Sequence, residues 1–114
     1  MRYMLMIHLN DDIAERFDND TELFDRVMAA HNALQKDLRA SGELVDTHEL
    51  LPEGSKVVRS RPSDLLVTDG PFTESKEWIA GYYVVDTASI ERAAEIAGRL
   101  VEGEFSPVEV RVIR

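Results

Sequence analysis

Three histidines and a small set of acidic, basic and phenolic residues are the groups in this 114-residue chain that could carry chemistry. An imidazole side chain titrates near neutrality, so a histidine such as His31 is a candidate general acid or base. It falls in a stretch where Leu23, Val27, Leu34 and Leu38 recur at helical spacing, which places its ring near an inward-facing stripe. Such a ring either bonds a backbone carbonyl in the core or lines a pocket. Asp69 precedes Gly70-Pro71, where proline fixes φ and restricts the residue before it. It reads as a turn carboxylate bonded to nearby amides, or as a side chain aimed by a rigid loop. In the second reading Asp69 pairs with His31, orients the ring and raises its basicity. There is no GxSxG segment, so a serine-hydrolase triad is not indicated.

A second group is expected to contact substrate. His8 alternates with Met4 and Met6 along an N-terminal strand. Glu109 and Arg111 alternate with Val108, Val110 and Val112 near the C-terminal end. They are either an exposed charged face or, if that face is covered, an anchor for an anionic group. Tyr82 and Tyr83 offer aromatic walls and phenolic donors. His48 alternates with Asp46, but His8, His31 and His48 lack HxxxH spacing, so no metal is expected. Glu74, Lys76 and Glu77 read as a solvated turn with an ion pair, of which Glu74 and Glu77 could instead reach a pocket.

The elements that must position these groups follow from periodicity. Residues 3–9 read as a strand with two mostly apolar faces. Residues 10–20 read as an acidic connection anchored by Phe17. A helix over 21–40 is capped by Asn19 or Asp20 and ended by Gly42. Strands are expected over 44–51, 56–59, 65–68, 81–86 and 108–113. A second helix runs from Thr87 or Ser89 to about residue 101. This order gives a single α+β domain over 1–114, a ferredoxin-like βαββαβ arrangement with an inserted hairpin region. Its helices cover one sheet face, and a second subunit is the simplest cover for the other.

The segment Val67-Thr68-Asp69-Gly70-Pro71-Phe72-Thr73-Glu74-Ser75-Lys76-Glu77, followed by Gly81-Tyr82-Tyr83, resembles the DGPF branch of the YCII-related family. Val108-Glu109-Val110-Arg111, and His31 with Gly42-Glu43-Leu44 after it, fit the same branch. Arg61-Pro62-Ser63 departs from it, since a glycine-containing turn is expected there. The resemblance implies a dimeric α+β barrel and a His–Asp pair in a pocket, here His31 and Asp69. The family's function is mostly unassigned, related members including a lyase for a halogenated aromatic ring; a general base without a nucleophile fits small-molecule chemistry without a cofactor, of lyase or hydrolase type. The resemblance also implies, through gene neighbourhood, a link to alternative sigma factors; a non-catalytic ligand sensor or interaction module is the other reading.

Composition narrows the partners. Thirteen Lys and Arg against 22 Asp and Glu give a net charge of −9. Such a surface repels phosphate backbones and anionic membranes, so neither nucleic acid nor a membrane is an expected partner. The chain has no cysteine, which removes disulfides and thiolate chemistry. The apolar run at the start is too short for a signal peptide, and a cytoplasmic homodimer is the expectation.

Overall fold

The computed structural model describes residues 1–72 and 76–114. Thr73, Glu74 and Ser75 lie outside the described residues, and the expectation for Glu74 lies with them. The elements, in chain order, are β1 (Arg2–Leu9), α1 (Asp11–Asn19), α2 (Thr21–Ser41), β2 (Leu44–Glu49), β3 (Lys56–Ser60), β4 (Leu65–Asp69), β5 (Trp78–Asp86), α3 (Ile90–Ala97), a 3-10 turn (Val101–Glu104) and β6 (Val108–Ile113).

Four strands form an antiparallel sheet in the order β2-β5-β1-β6. With the β3–β4 insertion set aside, this is the ferredoxin-like strand order of an α+β fold. Alternation along the strands sorts the side chains onto two faces. Tyr3, Leu5, Ile7, Tyr83 and Val85 point to the helices and are buried with Leu34, Leu38, Ala93, Ile96 and Leu100. Met4, Met6, Tyr82 and Val84 point the other way, where no helix of the described residues lies.

The helices are set by their caps. The Asp20 side chain accepts the Leu23 amide at the start of α2, and Gly42 ends the helix at φ 79. A positive φ costs glycine little because it has no Cβ. Residues 11–19, expected as a connection, form helix α1 instead. Asn10 supplies a cap to the Ile13 amide, and Phe17 packs edge-on against Phe105, 5.4 Å between centroids. The second helix stops at Ala97, short of 101, because Gly98 and a following 3-10 turn redirect the chain.

The pairing of β2 with β5 depends on Gly81. A Cβ there would sit 3.0 Å from the His48 carbonyl oxygen, closer than ordinary contact. The far end of β2 is tied to α3 by Arg92, whose Nε and Nη2 donate to Glu43 Oε2 and Oε1 at 3.0 and 2.9 Å. That bond holds the Glu43 carboxyl below its usual range. β3 and β4 pair only with each other, as an arm outside the main sheet. The molecule is consequently long and flat, 49 × 38 × 19 Å, with a radius of gyration of 16.0 Å. A compact chain of this length has about 13 Å.

Two outcomes test these contacts. Gly81→Ala forces β2 away from β5 and lowers stability by about 1–3 kcal/mol, read by denaturant unfolding. A carboxyl whose pKa is lowered by folding adds stability that is complete above its unfolded value of 4.5 and lost as pH falls through the folded value. The melting temperature therefore drops more steeply below about pH 4.5 in the wild type than in Arg92→Met.

Candidate functional site

Two adjacent tyrosines on β5 organise two polar constellations on opposite faces of the sheet. Tyr83 faces inward and is fully buried. Its hydroxyl lies 2.6 Å from His31 Nδ1, and His31 Nε2 lies 2.6 Å from Glu102 Oε2. Gln35 Nε2 donates to the same hydroxyl at 3.2 Å. The side chains of His31 and Glu102 are 15% and 8% exposed. One set of directions satisfies every bond: Gln35 donates to Tyr83, Tyr83 to Nδ1, and Nε2–H to the Glu102 carboxylate. Burial pushes the Tyr83 phenol above its usual pKa. Glu102 Oε1 and Ser106 Oγ are buried without a partner among the described residues.

The sequence places His31 on the inward stripe, and the structure puts it there. It is Glu102 that bonds its ring, from a 3-10 turn that carries no recognisable periodicity. Asp69 stands elsewhere, at the end of β4 on the arm, where its carboxylate accepts from Lys56 Nζ at 2.6 Å. Within one chain His31 and Asp69 thus have different partners. Phe72, beside the same turn, is exposed, with the Arg59 guanidinium 5.8 Å from its ring centre.

Tyr82 faces the open side. Its hydroxyl donates to Asp46 Oδ2 at 2.9 Å, and Asp46 Oδ1 lies 3.1 Å from His48 Nε2. The His48 and Tyr82 rings are 6.0 Å apart. Cross-strand register brings this trio together, since His48 pairs with Tyr82 and Asp46 with Val84. A β-bulge at Val45 puts Asp46 and His48 on the open face. The hydrogen bond to the Asp46 carboxylate raises the Tyr82 pKa, because ionising the phenol would face a like charge.

The same face continues across the sheet. Met6 pairs with Tyr82 on one side and Glu109 on the other, and Met4 pairs with Val84 and Arg111. Arg111 Nε donates to Glu109 Oε2 at 3.0 Å. His8 follows Met6 on β1 and is half-buried. His8, Tyr82, Glu109 and Arg111, the residues expected to meet substrate, therefore share one face. Asp46 and His48 are the residues that sequence reasoning left out of the set. Their alternation was the available signal, but the bulge that places both beside Tyr82 is not written in any motif. Among the described residues, no group of three or more His, Cys, Asp or Glu converges to hold a metal ion.

A ferredoxin-like α+β domain with one helix-covered face and one open, polar-rimmed face defines the class. The YCII-related domain model matches residues 1–114, and the chain belongs to that family. It is similar to an uncharacterized protein of Rhizobium meliloti (strain 1021), 28% identical over 98 residues, which span 85% of this chain and 77% of that protein. No helix is long and apolar enough to cross a membrane among the described residues.

The two constellations respond differently to loss of a hydroxyl. Tyr83→Phe takes the hydroxyl away from His31 Nδ1 and Gln35 Nε2 and costs about 1–3 kcal/mol of stability by denaturant unfolding. Tyr82→Phe, at the surface, leaves the unfolding midpoint close to that of the wild type.

Proposed function

We propose that the open sheet face binds a small polar molecule and performs acid–base chemistry on it, of elimination or hydrolysis type. The observation that carries this reading is the Asp46 carboxylate, which contacts the His48 imidazole and the Tyr82 hydroxyl together. A carboxylate beside one imidazole nitrogen orients the ring and leaves the other nitrogen to meet a substrate proton. Among the described residues nothing bonds His48 Nδ1. Tyr82 presents a phenolic donor alongside it, and Arg111 supplies positive charge across the face for an anionic group. Neither group needs a cofactor for proton transfer.

His31 takes a supporting part in this reading. Both its nitrogens are engaged by protein groups, so it fixes Tyr83, and through it the β5 strand that carries Tyr82. Among the described residues, no helix lies over the apolar centre formed by Met4, Met6 and Val84. A second copy of the chain laid on that centre would exclude water from the polar rim and strengthen its electrostatics.

The test begins with a ligand screen by NMR, followed by assay of the molecules that bind. His48→Gln keeps binding and loses turnover by about 10²-fold or more, whereas Arg111→Met weakens binding of anionic ligands. Ligand shifts confined to the His31 side of the sheet, or full turnover in His48→Gln, would overturn the proposal.

A further inference from the structure

The β3–β4 arm is a two-stranded ribbon that pairs with no other strand. Such ribbons are marginally stable when nothing packs on them. Its register puts Val58 opposite Val67 and Ser60 opposite Leu65, so three aliphatic side chains share one face. They are 56%, 49% and 65% exposed for Val58, Val67 and Leu65. Exposed apolar residues grouped in this way mark a contact surface.

Charge selects the occupant. Residues 50–72 hold three cations, Lys56, Arg59 and Arg61, and three anions, Glu53, Asp64 and Asp69. The net charge of the segment is zero, so the whole −9 of the chain lies outside it. The rest of each copy carries that charge and resists association, and the neutral arm adds contact without adding repulsion. The arm cations are turned to local partners, Lys56 to Asp69 and Arg61 to Asp64, so they offer little to a strongly charged foreign partner.

We infer that the Val58, Leu65 and Val67 face of the arm packs on a second copy of this chain. This rests on the self-association proposed above and adds a contact that the open sheet face does not contain. Three side chains cover too little for a stable dimer, which buries about 1,000 Å² or more. The arm thus acts as a clasp that supplements the sheet contact, and two symmetric arms supply it twice.

Sedimentation velocity over a range of concentrations tests it with three proteins. The wild type is expected to dimerise. The Val58→Lys, Val67→Lys double variant is expected to dimerise about ten-fold more weakly or not at all, with unchanged circular dichroism because the arm supports no part of the main core. Val84→Lys probes the open face separately. A double variant that dimerises as tightly as the wild type overturns the arm inference. If Val84→Lys alone dissociates, the sheet contact stands without the arm. If only the arm variant dissociates, the sheet contact falls, and the clasp that was to supplement it falls with it. A wild type that is monomeric throughout removes both. A second readout guards against misfolding: in this cysteine-free chain, Leu65→Cys should react with a bulky maleimide more slowly at high protein concentration. Equal rates at all concentrations overturn the inference.

Discussion

A four-stranded sheet has two faces, and among the described residues the helices cover only one. Most features of this protein follow from that constraint. The inward face holds a continuous apolar cluster from Tyr3 to Leu100. The outward face keeps a methionine and valine centre with ionisable groups around it. Burial of one face stabilises the domain, and exposure of the other leaves a surface on which recognition can be built.

The inward face is not purely apolar. Glu102, His31, Tyr83 and Gln35 form a chain of bonds that ties the 3-10 turn, α2 and β5 together. A buried network of this kind is costly when any member is missing and specifying when all are present. It joins segments far apart in sequence, 52 residues from His31 to Tyr83 and 71 to Glu102. It therefore fixes how the helix layer sits on the sheet more sharply than aliphatic contacts do.

Much of the fold was legible in the residues. The alternation of Tyr3, Leu5 and Ile7, the stripe of α2 and the β-rich segment at Tyr82-Tyr83 led to the right sheet and layers. Residues 11–19 did not, because their acidity masked a helix whose apolar contribution rests on few side chains, chiefly Phe17. The candidate site was half legible. Alternation along one strand places Glu109 and Arg111 on a common face, and the pairing of β5 and β6 with β1 brings Tyr82 to it. Alternation cannot reveal a bulge, so Asp46 and His48 were not joined to them. The partner of His31 was hidden for a different reason. Glu102 sits in a 3-10 turn, where neither period 2 nor period 3.6 announces which way a side chain points.

The two tyrosines of β5 share one peptide bond but belong to different surroundings. Tyr82 stands in an aqueous, adjustable environment, and Tyr83 is clamped by partners that leave it no slack. Any twist of the strand that moved one ring would have to move the other. The open face is thus mounted on an anvil: its shape is held from behind by interior bonds. A molecule settling there would meet a surface already formed, and the entropy of arranging it would have been lost when the chain folded.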